Sequence, residues 1–126
     1  VCQVDLPMSL AARTSQAEKI PEDAAPDSVN VLPALLGESK QVREHLVEHA
    51  RSLAIRKGDW KYIQPNKGAR VNANTDTELG NDPQGLLYNL ADDPAERTNL
   101  ISKQPEKAKE LAVLLQQIRE RGRSRP

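Results

Sequence analysis

The sequence predicts an α+β fold in which a small antiparallel sheet of about four strands packs against a C-terminal helix. Three observations support this prediction. Two runs rich in β-forming residues flank a Lys-Gly-Asp turn signal at residues 57–59, a pattern typical of a β-hairpin. Apolar residues then alternate over residues 86–90, which indicates a further strand. Residues 105–121 begin with Pro and carry apolar residues at helical spacing, which indicates the helix.

The hairpin at residues 52–63 is the predicted centre of the core. A two-residue loop at residues 57–58 would pair Arg56 with Asp59. The large apolar side chains of the hairpin then share one face as two cross-strand pairs, Leu53 with Tyr62 and Ile55 with Trp60. The opposite face is mostly polar. From the rest of the chain, the predicted core takes four further side chains: Tyr88, Leu111, Leu115 and Ile118.

Two segments beside the hairpin bear on the predicted sheet. Residues 43–50 fit a helix or a strand by pattern alone, and the hairpin that follows favours a strand pairing with it. Residues 64–85 form a long polar insert without periodicity. A loop of that length in a compact domain is usually functional, mobile or specific to one family.

Two short helical segments precede the sheet. Residues 3–13 are predicted to form a helix with Pro7 in its first turn. Pro33 opens about one helical turn, which Gly37 closes as a C-terminal cap. Residues 1–36 carry more apolar side chains than a small sheet can cover. We therefore expect them to lie against another domain or to mediate self-association.

The composition excludes several classes of function. The 126 residues are enough for one domain or for part of a larger protein. Lys and Arg number 18, as do Asp and Glu, so no net charge attracts nucleic acid or membrane, and we expect neither partner. No apolar run approaches the roughly 18 residues of a transmembrane helix. The chain begins Val-Cys-Gln-Val, without Met or a signal-like segment, which suggests a cut inside a longer protein.

Four segments of the chain resemble the type I sulfatases (the arylsulfatase family). Residues 87–100, Leu-Tyr-Asn-Leu-Ala-Asp-Asp-Pro-Ala-Glu-Arg-Thr-Asn-Leu, resemble that family's Leu-Tyr-Asp-Leu…Asp-Pro…Glu…Asn-Leu segment near the C-terminus. Residues 54–63, Ala-Ile-Arg-Lys-Gly-Asp-Trp-Lys-Tyr-Ile, resemble its Ala-Ile-Arg-x-Gly-Asp-Trp-Lys-x-Ile hairpin. Residues 4–12 and 27–37 are similar to the stretch that leads into the family's C-terminal subdomain. The segments occur in the family's order and cover nearly the whole chain.

This resemblance implies an enzyme of which the chain is only the last part. Residues 1–42 would lead in from a missing catalytic domain, and residues 43–126 would form the C-terminal subdomain. The family, often exported from the cell, hydrolyses sulfate esters with a formylglycine made from Cys or Ser. Its calcium is held by Asp and Asn residues of the N-terminal domain, and its substrates are sulfated small molecules or glycans. We therefore expect no catalytic, cofactor-binding or metal-ligating residue here, and no activity from this chain alone.

Two alternatives differ from a sulfatase in function. The chain could be a stand-alone binding module that keeps the same fold and acts through its Arg-rich end. It could also be the last part of a related phosphate or phosphonate ester hydrolase, because the superfamily shares this architecture.

Few residues fit a catalytic or metal-binding pattern. Residues 9–13, Ser-Leu-Ala-Ala-Arg, match a loose Ser-x-Ala-x-Arg form of the family's modification motif but lack its Leu-Thr-Gly-Arg continuation, so we interpret them as an ordinary helix. The Asn, Asp and Glu residues at alternate positions of 72–78 suggest a calcium loop. However, Thr77 and Pro83 stand where such a loop needs Gly and Glu. Cys2 lacks a His neighbour and metal-ligand spacing. The arginines of residues 119–125 form a tail that we interpret as solvated.

His49 is the candidate site residue. His45 and His49 are four residues apart, a spacing that suits a metal only on a helix with further ligands. On a strand, both side chains share one face, and His49 lies at the end nearest the hairpin. The resemblance implies a catalytic centre that faces the seam between domains. We therefore expect His49 to line one wall of the substrate pocket, where an imidazole titrating near neutrality suits a sulfated sugar or a leaving group.

Overall fold

A computed structural model describes residues 3–15, 19–21, 23–40, 42–49 and 52–123 of the chain. These residues form two compact units. One contains residues up to Glu44 together with residues from Ile118 onward, and the other is His45–Gln117. After a 3₁₀ turn at Gln3–Asp5, the elements follow in this order: α1 Leu6–Arg13, α2 Leu32–Leu35, β1 His45–His49, β2 Leu53–Lys57, β3 Trp60–Ile63, β4 Leu86–Asn89 and α3 Pro105–Arg121.

The predicted α+β fold is confirmed. The four strands form one antiparallel sheet in the order β1-β2-β3-β4. Residues 45–49 are a strand that pairs with β2, as the neighbouring hairpin led us to expect. α3 packs against the sheet, and an ion pair of 3.7 Å joins Glu110 of the helix to Lys57 at the end of β2.

The register of the hairpin differs from the prediction by two residues. Ile55 pairs with Tyr62 instead of Trp60, and Lys57 pairs with Trp60. The loop is therefore Gly58-Asp59, one residue later than predicted. Gly58 has a φ of 57°, and a two-residue type II′ loop requires that left-handed conformation of its first residue. The shift is an even number of residues, so the predicted apolar set still shares one face.

The face of the sheet under α3 carries the main core of this unit. Ile55 and Leu87 are fully enclosed there, and Tyr62 beside them is buried. The helix contributes a buried stripe at helical spacing, consisting of Ala108, Leu111 and Leu115. The prediction that Leu53 and Trp60 belong to the enclosed core is wrong, because both side chains are only half-buried at the two ends of the hairpin.

The second face of the sheet, predicted to be mostly polar in the hairpin, also carries buried residues. Ala54, Leu86 and Tyr88 are buried on it. The predicted core includes Tyr88 with the residues beneath the helix, but its strand position places it on this opposite face, across from Lys61. Apolar residues at three successive positions of β4 are the pattern of a strand that is buried on both sides.

The insert at residues 64–85 is folded back on itself. Arg70 and Leu79 are joined by a backbone hydrogen bond of 2.8 Å, and Val71 forms a β-bridge with Glu78. The buried Asn81 side chain accepts a hydrogen bond from Asn66 and donates one to a backbone carbonyl. The buried Asn81 amide is thus satisfied by residues of the insert itself, as buried polar groups require.

The first unit is held together by buried polar groups. α1 follows the predicted pattern, with Pro7 in its first turn. Asp5 is 1% exposed, and its carboxylate accepts hydrogen bonds from the Val29 amide at 3.0 Å and from the Arg43 guanidinium. The same guanidinium donates to the carbonyl of Asp27 at 2.6 Å. One carboxylate therefore joins the start of α1 to two segments far along the chain.

Serine hydroxyls extend this network. The hydroxyl of Ser9 donates to the carbonyl of Asp5 at 2.7 Å and accepts from the amide of Val31 at 3.0 Å. The hydroxyl of Ser28 accepts from the amide of Met8 at 3.1 Å. Ser9 and Ser28 are both buried, and these bonds satisfy backbone amides that have no partner in a helix or sheet.

We predict that Asp5→Ala opens the first unit. The substitution removes the buried carboxylate that Arg43 and the Val29 amide bind, and breaking a buried ion pair costs about 3–5 kcal/mol. Hydrogen exchange of the Val29 amide should become correspondingly faster. Asp23→Ala is the same change at an exposed position of the same unit. The free energy of opening obtained from the exchange rate should stay within about 0.5 kcal/mol of the wild-type value. Equal effects of the two variants would show that the ion pair contributes nothing.

Candidate functional site

His49 is the last residue of β1, where its side chain is exposed to solvent and its backbone pairs with Leu53. His45 begins the same strand opposite Lys57 and is half-buried. The two imidazoles lie on one face of the sheet, the face that also carries Ile55. The strand geometry therefore places His49 at an accessible strand end, and its role in a pocket wall stays a prediction.

The other chemical patterns have structural explanations or lie outside the described part of the chain. Ser9, the first residue of the motif-like Ser-Leu-Ala-Ala-Arg run, is in α1 with its hydroxyl committed to two hydrogen bonds. In the 72–78 segment, the Asn72 side chain accepts from the Asn74 amide at 2.9 Å, which is a turn contact. Arg119 and Arg121 belong to the last turn of α3. Cys2 and Arg125 lie outside the described residues.

No cluster of three or more His, Cys, Asp or Glu side chains that could hold a metal ion occurs within the described residues. Across the same parts of the chain, no helix is long and apolar enough to span a membrane.

A cleft of about 320 Å³ opens on the second face of the sheet, within the unit His45–Gln117. Its floor consists of Lys61 and Ile63 from β3 with Leu86 and Tyr88 from β4. One wall comes from the folded insert, through Glu78 and Gly80, and the other from the turn after β4, through Pro94, Ala95 and Glu96. Sequence reasoning did not identify this cleft, although the unbroken apolar run of β4 is a signal that both sides of the strand are covered.

An ion pair joins the floor of the cleft to one of its walls. The ammonium group of Lys61 donates to both carboxylate oxygens of Glu96, at 2.7 and 2.9 Å. Both side chains are half-buried, so this pair is less screened by water than a surface pair. Glu96 has a φ of 55°, a left-handed conformation that costs free energy in a residue with a side chain. The ion pair with Lys61 offsets that cost and holds the turn after β4 in its position beside the cleft.

The turn after β4 is also fixed by its own polar residues. The carboxylate of Asp93 accepts from the amide of Thr98 at 2.7 Å, and the carbonyl of Asp93 accepts from the amide of Glu96. The side-chain carbonyl of Asn99 accepts from the amide of Leu87 at 3.0 Å. These bonds explain the spacing of the Asp, Glu and Asn residues within 87–100, because each of these residues takes part in a hydrogen bond that shapes the turn.

Burial dominates the ionisation of Tyr88. Loss of solvent raises the pKa of its phenol above the usual 10.0, and the negative charges of Glu78 and Glu96 raise it further. Tyr62, on the opposite face, also has a pKa raised by burial. Both phenols therefore stay protonated at neutral pH, and the Tyr88 hydroxyl can act as a hydrogen-bond donor within the cleft.

Comparison with known proteins identifies one close sequence relative. No protein-family profile matches the chain. An N-acetylgalactosamine-6-O-sulfatase of Bacteroides thetaiotaomicron is 43% identical to it over 121 residues, which are 94% of this chain and 23% of the relative. The chain thus spans less than a quarter of the length of the curated relative that it matches.

Comparison with solved structures also finds similarity over most of this chain and a small part of each matched chain. One, from work on the metabolism of multiple glycosaminoglycans by Bacteroides thetaiotaomicron, superposes with a TM-score of 0.82 at 43% identity, over 90% of this chain and 24% of that one. Two structures of Ps i-CgsB, one of them with a bound neocarrahexaose, have TM-scores of 0.61 and 0.59 at 18% identity. They cover 90% of this chain and 23% of theirs, and at that identity they support the fold alone.

We predict that the two tyrosines of the chain ionise only above pH 10. Because their pKa values are higher in the folded state than in the unfolded state, the folded protein binds more protons in that range. Its stability therefore falls as the pH rises through and above 10, the ordinary value. In a pH titration, tyrosinate absorbance should rise at higher pH in the native protein than in the urea-unfolded protein. The variants Tyr62→Phe and Tyr88→Phe show which tyrosine gives each ionisation step. Coincident native and denatured titrations would show that neither phenol is buried.

Proposed function

Because this chain is related to the sulfatases over nearly its whole length, we propose that it is the C-terminal part of an enzyme that hydrolyses sulfate esters. The observation that carries the proposal is the 43% identity to a sulfatase across 94% of the chain, with a matching fold. The comparisons favour neither of the alternatives, a stand-alone binding module or a phosphate ester hydrolase. In this proposal the chain completes the fold of the enzyme, and other parts of the protein supply the nucleophile.

The described residues do not fit a calcium site. The carboxylates of Asp5 and Glu96 are each paired with a cation, Arg43 and Lys61, and no cluster of three or more His, Cys, Asp or Glu side chains that could hold a metal ion occurs among the described residues. A hard cation such as calcium takes six to eight oxygen ligands. We therefore place the calcium that the family uses, together with the catalytic groups, outside this chain.

The first unit presents an apolar surface that suits contact with the rest of such an enzyme. Leu6 and Leu10 lie four residues apart on one face of α1 and are exposed by 46% and 63%. At the end of α2, which contacts α1, Leu35 and Leu36 are exposed by 54% and 59%. Exposed leucines on two packed helices are typical of an interface. The partner that we propose is the catalytic domain, because more than three quarters of the relative's length has no counterpart here.

A chimera tests this proposal. The segment of the Bacteroides sulfatase that aligns with this chain is replaced by the chain itself, and hydrolysis of a 6-sulfated N-acetylgalactosamine substrate is measured. We expect the chimera to be active and the isolated chain to leave a chromogenic aryl sulfate intact, even with calcium added. An isolated chain that hydrolyses the ester, or a folded chimera without activity, would overturn the proposal.

The apolar surface has its own variants in the same chimera. Leu10→Lys and Leu35→Lys should lower the yield of folded enzyme, because each places a charge in the proposed interface. Val113→Lys is the matched control, since Val113 is an exposed apolar residue of α3. In the isolated chain, sedimentation should detect self-association that Leu10→Lys weakens. If the yield of folded chimera is the same with Leu10→Lys or Leu35→Lys as with Val113→Lys, the leucine surface does not contact the catalytic domain.

We further propose that His49 forms part of the substrate-pocket wall. Its support is the accessible end of β1 and an imidazole that can donate a hydrogen bond to a bound substrate. In the chimera, His49→Ala should lower kcat/KM by roughly tenfold, the value of one hydrogen bond to the substrate, with little change in thermal stability. His45→Ala, four residues earlier on the same face, is the control and should retain full turnover. Equal kinetics in both variants would leave His49 without a role in the pocket.

A further inference from the structure

The cleft on the second face of the sheet combines an apolar surface with polar groups at its rim. Ile63 and Leu86 form part of the floor, and Pro94 and Ala95 part of one wall. Lys61, Glu78 and Glu96 add one ammonium and two carboxylate groups. Its volume of about 320 Å³ lies at the small end of the range for ligand sites, which is about 300–1,000 Å³. The cleft has room for one small ring.

Tyr88 gives the cleft a hydrogen-bond donor that no described residue of the chain uses. The residue is 3% exposed, yet within the described residues its hydroxyl forms no hydrogen bond with another group. The described residues contain no fully enclosed polar side-chain atom without a partner, so the Tyr88 oxygen is not fully enclosed, and Tyr88 is one of the residues that line the cleft. A phenol that is buried except at its hydroxyl is positioned to donate to an atom placed within the cleft.

Each charged side chain of the cleft is paired with a group of opposite charge, and this disfavours a charged ligand. The ammonium group of Lys61 is held by both oxygens of Glu96. Glu78 is paired with Arg70, at 3.3 Å between the guanidinium and the carboxylate. No cation of the cleft is left to bind a sulfate group, whereas both carboxylates retain lone pairs that can accept from hydroxyl groups. The complementary ligand is uncharged, has several hydroxyl groups and carries an apolar face.

We propose that this cleft binds one unsulfated sugar ring. The apolar floor and wall pack against the C–H face of the ring, Tyr88 donates to a ring substituent, and the carboxylates of Glu78 and Glu96 accept from its hydroxyl groups. The choice of a sugar among uncharged ligands rests on the proposed function, because a sulfatase that acts on a glycan also meets unsulfated rings of that glycan. The cleft is then a binding site separate from the chemistry of the ester.

Binding to the 126-residue chain tests the proposal without requiring catalysis. The ¹⁵N-labelled chain is titrated with N-acetylgalactosamine, the sugar in the relative's name, and with its 6-sulfate, and amide shifts are recorded by NMR. We expect saturable shifts at Gly80, Ala95 and Glu96 with a dissociation constant in the millimolar range, and weaker binding of the 6-sulfate. Tyr88→Phe should weaken binding by roughly tenfold, because it removes only the hydroxyl donor.

Tyr62→Phe is the matched control. It removes the hydroxyl of a tyrosine that is buried on the opposite face of the sheet, so the affinity should equal that of the wild type. The absence of saturable shifts at the cleft amides, tighter binding of the 6-sulfate, or equal affinities of Tyr88→Phe and Tyr62→Phe would each overturn the proposal. None of these outcomes bears on the sulfatase proposal, which depends on the activity of the chimera.

Discussion

The main constraint on the sheet unit is that β4 is buried on both faces although it is an edge strand. Leu86, Leu87 and Tyr88 are nearly inaccessible, yet in the part of the chain that the structure describes no strand pairs with the outer edge of β4. Buried amide and carbonyl groups need partners, since each unsatisfied group costs about 1–3 kcal/mol. The following turn supplies them: Asn99 accepts from the Leu87 amide, and the Leu100 amide donates to the Leu87 carbonyl at 2.8 Å. The Asn-Leu end of the family-like motif is thus the cap of the exposed strand edge.

The same turn creates the cleft. It must leave β4, cross the second face of the sheet and return to the edge at Asn99, and the Lys61–Glu96 ion pair fixes the middle of that path. The ion pair therefore joins the hairpin segment 54–63 to the segment 87–100, because the cation comes from the first segment and the carboxylate from the second. A wall held by an ion pair over a floor of β3 and β4 leaves a defined space between them. The cleft follows from the way in which the edge strand is covered.

The two proposed contact sites of this unit lie on opposite faces of the sheet. His49 is at the end of β1 on the face that carries Ile55, whereas Lys61 and Tyr88 face the cleft from β3 and β4. The structure does not bring His49 and the cleft together. The first unit has neither feature. Its buried Asp5–Arg43 pair and its serine hydroxyls supply internal order, which leaves its leucines free to face outward.

Much of this architecture was determined by the sequence itself. The Lys-Gly-Asp turn signal, the apolar pattern of β4 and the helical spacing after Pro105 are local features, and they predicted the strands, the helix and the shared apolar face of the hairpin. Only the tertiary structure decided the register, because Gly58 fits either loop position by sequence and the pairing depends on where its positive φ is required. The cleft also depended on the tertiary structure. Residues 61, 78, 88 and 96 are distant along the chain, and their approach results from the folding of the insert and the turn over a strand that must be covered on both sides.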